Sequence, residues 1–135
     1  MNLQVGESVS IEHVVSEKDI EVFSQISGDK KPIHLDEKYA KNTQFGRRIA
    51  HGMFTASFFS GIFGTKLPGP GSLYISQNLK FKRPVFIGDR VIAKVIVKKI
   101  KSRKKTILFE TVCRVDGKIV TLGEAEIYFP NLKTQ

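Results

Sequence analysis

Asp29 and His34 are the residues of this chain whose types and spacing best suit proton chemistry. A carboxylate and an imidazole held at one point supply a proton acceptor and a proton donor near neutral pH. Five positions and Pro32 separate them, so they are not neighbours on one helix face. A loop that leaves a helix at Gly28 and is pinned by Pro32 can turn both side chains toward one point. Spacing alone better fits an Asp that caps a helix beside a surface His. Cys113 is the sole cysteine, which excludes an internal disulfide and a cysteine-based zinc cluster. It falls in a strand pattern and reads as a packed, inert thiol. His13 reads as a strand residue. No histidine has a ligand partner at zinc-motif spacing, so neither a metal nor a redox cofactor is expected.

The element that must position these groups is the run 49–65 (IAHGMFTASFFSGIFGT), which holds no Asp, Glu, Lys or Arg. Its large apolar residues keep to no single stripe, as in a helix buried all round. It is shorter than the ~20 residues a bilayer needs and is broken by His51, Thr55, Ser57, Ser60 and glycines. A sheet should wrap it. Residues 4–15 predict a first strand, with Val9, Ile11 and His13 on one face. Residues 16–19 (SEKD) resemble a capping box, with a helix over 17–27 whose inner face is Ile20, Phe23 and Ile26. Gly28 suits the left-handed position after that helix. Asp36 can cap a short helix over 37–42, and 42–48 forms a loop. The turn-rich 67–71 (LPGPG) follows the central helix. Residues 72–83 then alternate as one half-buried strand with Leu73, Ile75, Gln77, Leu79 and Phe81 on a shared face. Strands over 90–100, 106–115 and 118–129 follow, joined by a charged tip at 102–105 and a tight Asp116-Gly117 hairpin. In the 106–115 strand, Ile107, Phe109, Thr111 and Cys113 share a face. The tail after 130 reads as loose.

Helices grouped early and hairpin-linked strands later predict an α+β fold. A curved antiparallel sheet around one long central helix is the hot-dog arrangement. The length, 135 residues, suits one domain over 1–135. The N-terminus shows neither a basic nor an apolar signal region, so a cytoplasmic setting is expected. The apolar strands 72–82 and 90–100 need their edges covered, which predicts a homodimer or higher homo-oligomer. A net charge of +9 suits an anionic ligand, an acidic partner or a plain lysine-rich surface. Nucleic acid is disfavoured: aromatics do not interleave with the basic run 94–105, and no RNP-type or zinc-finger motif is present.

Residues 23–40 (FSQISGDKKPIHLDEKYA) resemble the hydratase-2 motif of the MaoC-like (R)-specific enoyl-CoA hydratases. That pattern runs aromatic, apolar, small residue, Gly-Asp-x-Asn-Pro, aliphatic, His, then a small residue. The likeness continues through 50–53 (AHGM), 57–61, 67–69 (LPG) and 84–89 (PVFIGD), so it spans nearly the whole chain. The resemblance implies reversible hydration of a trans-2-enoyl-CoA to the (R)-3-hydroxyacyl-CoA, with the CoA thioester as substrate and no cofactor. It implies that Asp29 and His34 are the catalytic pair, one activating water for C3 and the other handling the proton at C2. Gly52, opening the central helix, becomes the backbone donor to the thioester oxygen. Ser60 matches a helix serine near the pair; it either bonds Asp29 or the water, or simply its own helix. His51 is taken to shape the start of the helix. The family Asn is Lys31 here, and an ammonium does not copy an amide. Lys31 then stabilises Asp29 as the anion, contacts a ligand phosphate, or points to solvent. Two alternatives stay open: a (3R)-hydroxyacyl-acyl carrier protein dehydratase, and a non-catalytic acyl-thioester-binding protein. A hot-dog thioesterase is disfavoured because 49–65 carries no carboxylate, and the His-Phe-Pro-Gly dehydratase signature is absent.

Overall fold

The computed structural model describes residues 2–133. One sheet organises it, built in chain order from β1 (Ser8–Val14), β2 (Leu73–Gln77), β3 (Lys80–Phe81), β4 (Arg90–Lys101), β5 (Thr106–Val115) and β6 (Lys118–Tyr128). The strands lie in the order β1-β4-β5-β6-β2, with the two-residue β3 pairing with β6. Every pairing is antiparallel. Four helices precede β2: α1 (Glu17–Ser27), α2 (Pro32–Leu35), α3 (Glu37–Lys41) and α4 (Gly52–Thr65).

Period-two alternation sets the inner face of the sheet. Val91, Ala93, Val95 and Val97 of β4 and Ile107, Phe109, Thr111 and Cys113 of β5 are all buried. In β1, Val9, Ile11 and His13 take the inner side as expected. The α4 helix lies against this face and buries Phe54, Thr55, Ala56, Phe59, Ile62 and Phe63. Each such Phe or Ile contributes roughly 1.5–3 kcal/mol. Its other side is open: Met53, Ser57, Ser60, Gly61 and Gly64 are exposed, so α4 is not enclosed all round within this chain.

Local signals place the ends of the elements well. Ser16 and Asp19 form the reciprocal capping box of α1, and Gly28 closes it with φ of 79°. Asp36 caps α3 on the Tyr39 N–H. Asp116 and Gly117 both have positive φ at the tight hairpin. Four expectations are corrected. Ile26 is 80% exposed, and Ser24 takes the inner position instead, because i, i+3 and i+4 from Ile20 are Phe23 and Ser24. The 72–83 stretch is two short strands, with a register shift between Tyr74 and Ser76. Leu73, Ile75 and Phe81 are exposed and Leu79 is packed partly against the core, since β2 is an edge strand paired on one side alone. The 90–100 strand is no edge at all: β4 lies between β1 and β5. Finally, the tail begins packed, with Leu132 buried; its last two positions, 134–135, lie outside the described residues.

Candidate active site

The site forms where α1 ends, α2 turns back and α4 begins. Gly28 releases the chain from α1, and Pro32 starts α2, where a missing N–H costs nothing. This single turn carries His34 inward until it is buried. Its Nδ1 donates to the Ile49 carbonyl at 2.8 Å, and the Ile49 N–H donates back to the Ile33 carbonyl. A carbonyl can only accept, so the ring proton is on Nδ1 and Nε2 is a free acceptor. Nε2 faces Asp29 Oδ2 at 3.9 Å. Arg48 braces the surroundings from a buried position, paired with Glu17 of α1 at 2.8 Å and Glu37 of α3 at 2.9 Å.

Asp29 is fastened by Lys31. The Lys31 ammonium donates to Oδ2 at 3.0 Å and its backbone N–H to Oδ1 at 3.3 Å. That ammonium holds the carboxyl below its ordinary range, while partial desolvation opposes the shift. Burial moves His34 the same way, below its usual 6.5, against the bond to the Ile49 carbonyl. Both members of the pair therefore stand ready as proton acceptors.

A cavity of about 790 Å³ opens at this point, bounded by Asp29, His34, His51, Gly52 and, on the far side, Phe81 and Val85. Gly52 is the first residue of α4, whose opening N–H groups have no carbonyl one turn back to bond. A Cβ on Gly52 would lie 2.6 Å from Phe81 Cδ1, so the Phe81 ring packs this close to the start of α4 only because this residue is glycine. The Gly52 carbonyl is held by Thr55 Oγ1 at 2.6 Å, and that hydroxyl also meets Thr121 Oγ1 at 2.7 Å.

The structure thus brings together Asp29, Lys31, His34, His51 and Gly52. It does not bring in Ser60, which is exposed two turns along α4 and is absent from the cavity wall. Cys113 is buried with its thiol pushed up to about 12 by desolvation, as an inert residue would be. Ser24, Thr55, Phe81 and Arg48 were not singled out by sequence reasoning. A small polar residue at an inner helix position was the available signal for Ser24 and Thr55; nothing local points to Phe81 or Arg48.

Asp29, His34 and His51 each offer a ligand atom, all within 4.8 Å of one another. Sequence spacing concealed this cluster. It suits an ion poorly. The two imidazoles are stacked at 3.8 Å between centroids and 23° between planes, so their in-plane lone pairs run side by side. His51 Nε2 is already engaged by the Asp29 carbonyl and Ser24 Oγ.

The family described as "MaoC like domain" matches residues 3–119. An (R)-specific enoyl-CoA hydratase of Rhodospirillum rubrum is 47% identical, over 96% of this chain and 90% of its own. A 3-hydroxybutyryl-CoA dehydratase of Methylorubrum extorquens is 43% identical, over 96% and 82%. Among solved structures, the (R)-hydratase from A. caviae involved in PHA biosynthesis superposes with a TM-score of 0.92 at 39% identity, covering 95% of this chain and 98% of that one. The hot-dog fold of that neighbour is the fold described above.

Proposed function

The chain belongs to the MaoC-like domain family, and on that footing we propose that it is a hydro-lyase that adds water to a trans-2-enoyl-CoA to give the (R)-3-hydroxyacyl-CoA. The observation that carries the reading is the pair of acceptors, the unpartnered His34 Nε2 and Asp29 Oδ2 with a lone pair left beside its bond from Lys31, 3.9 Å apart on the cavity wall beside the start of α4. An oxygen placed at hydrogen-bond distance, about 2.8 Å, from both would point one O–H at each and a lone pair outward. That is the posture of a nucleophilic water aimed at C3. With Asp29 ionised and Nε2 bare, the pair starts with no proton of its own to give. One proton is taken from water as the C3–O bond forms, and the same proton is passed on to C2. Negative charge that gathers on the thioester oxygen meanwhile meets the N–H of Gly52 at the positive end of α4. In the reverse direction the pair removes the C2 proton and returns it to the departing hydroxyl.

Lys31 enters this scheme through Asp29, which it keeps ionised. The carrier-protein alternative has less support. Among the basic residues of 94–105, Lys98 and Lys101 are paired with Glu124 and Glu126 of β6, which leaves a weaker patch for an acidic partner. We also propose that the protein is a homodimer. The β2 edge has Leu73, Tyr74 and Ile75 exposed beside unpaired backbone, and a second copy can continue the sheet there. Among the described residues no helix is long and apolar enough to cross a membrane.

The decisive experiment follows crotonyl-CoA by loss of its enoyl absorbance and determines the chirality of the product. The (R) alcohol is expected. An (S) product, or no turnover on short and medium enoyl-CoA, would overturn the reading.

A further inference from the structure

His51 is buried to 3% at the N-cap of α4, yet it makes no capping bond to that helix. Its Nε2 lies 2.9 Å from the Asp29 carbonyl oxygen and 3.1 Å from Ser24 Oγ. Because a carbonyl only accepts, the ring proton is on Nε2 and is directed at the Asp29 backbone. Nδ1 is then a bare acceptor, buried and without a partner among the described residues. One face of the ring stacks on His34 at 3.8 Å, and Phe23 of α1 packs against the ring at 4.9 Å. An apolar ring would fill this space and leave no orphaned nitrogen. What it would not supply is the N–H on Asp29.

We propose that His51 is a positioning residue that orients the Asp29–His34 pair by holding the Asp29 carbonyl and backing the His34 ring. The 28–31 loop is otherwise exposed and is secured mainly from its solvent side, by Lys31 and by Ser27 Oγ on the Asp29 N–H at 3.1 Å. His51 supplies the inner anchor. It also fixes the loop to the residue just before Gly52, so acceptors and the α4 start move as one body. The inference rests on the catalytic reading of Asp29 and His34.

The test compares three variants in the crotonyl-CoA assay. His51→Phe keeps an aromatic ring and loses the N–H. His51→Gln places an amide N–H near the position of Nε2, whereas the shorter amide of His51→Asn falls short of the Asp29 carbonyl. Displacing a catalytic group by about 1 Å costs ~10²-fold. His51→Phe and His51→Asn should therefore lose about 10²-fold in kcat with KM changed less than about threefold. His51→Gln should recover to within about tenfold of wild type. Near-UV circular dichroism and the thermal midpoint report whether each variant is folded. Should His51→Phe fail to fold, the Gln and Asn variants decide the matter between them. A folded His51→Phe with kcat within about threefold of wild type would overturn the inference alone, as would a folded His51→Gln as impaired as His51→Asn. Absence of turnover by the wild type would overturn the hydratase reading and this inference with it.

Discussion

Among the described residues there are two Asp–His pairs, and they are built to opposite ends. In one, His13 Nε2 and Asp19 Oδ2 are 2.6 Å apart at the junction of β1 and α1. In the other, His34 Nε2 and Asp29 Oδ2 are 3.9 Å apart at the cavity. By contact distance the first pair is the better one. Its facing atoms, however, are already committed to structure. Asp19 Oδ2 also accepts the Ser16 N–H as part of the α1 capping box, and the His13 ring packs against Phe54 and Phe58. In the second pair His34 Nε2 is unpartnered, and Asp29 Oδ2 accepts from Lys31 without bonding His34. His34 spends Nδ1 on the Ile49 carbonyl, which fixes the ring and leaves Nε2 free. Asp29 is steadied from outside by Lys31 rather than by His34. A closed pair stabilises structure; a pair too far apart to bond each other but close enough to share one water, with each member held by some third group, is suited to move protons.

Removing either pair should therefore have opposite consequences. The largest expected effect is on turnover. Asp29→Asn and His34→Ala should each lower the rate of crotonyl-CoA hydration by ~10²–10⁴-fold, the scale of general acid–base catalysis, while His13→Ala retains most of it. Comparable losses in all three, in folded protein, would erase the distinction. A smaller effect concerns pH and stability. Burial depresses the His34 pKa below 6.5, so below about that pH the unfolded chain binds a proton that the folded chain does not. Stability should fall as pH drops from about 6.5 toward the folded-state value, and urea midpoints of His34→Phe should show less of this dependence than wild type. The smallest effect belongs to the closed pair. Asp19→Ala removes half of the capping box and should cost on the order of 1 kcal/mol in urea unfolding, with kcat/KM little changed. A tenfold fall in kcat/KM would show that the β1–α1 pair reaches the cavity after all.

Much of the architecture was legible in the residues themselves. The capping box, the left-handed Gly28, the Asp116-Gly117 hairpin and the alternation of β1, β4 and β5 are local signals, and local backbone energetics decides them. Asp29 and His34 were nameable from the sequence, but their spacing left a capping Asp beside a surface His open, and the resemblance of 23–40 to the hydratase-2 motif put them forward as a pair. Tertiary structure decided what depends on a distant partner. Ile26 satisfies the apolar pattern of α1 and still faces solvent, because Ser24 is the residue that meets His51 from α4, 27 positions away. The 72–83 stretch alternates well, but whether an edge strand is half buried depends on what lies beyond it, and on the β2 edge this chain supplies nothing. Ser60 shares a helix with Gly52, and only its position two turns further along separates the open face from the cavity at the helix start. Sequence thus determined which groups are present and how each short segment bends. The fold alone decided which of them meet, since hydrogen bonds such as those of His51 join residues that no local pattern relates.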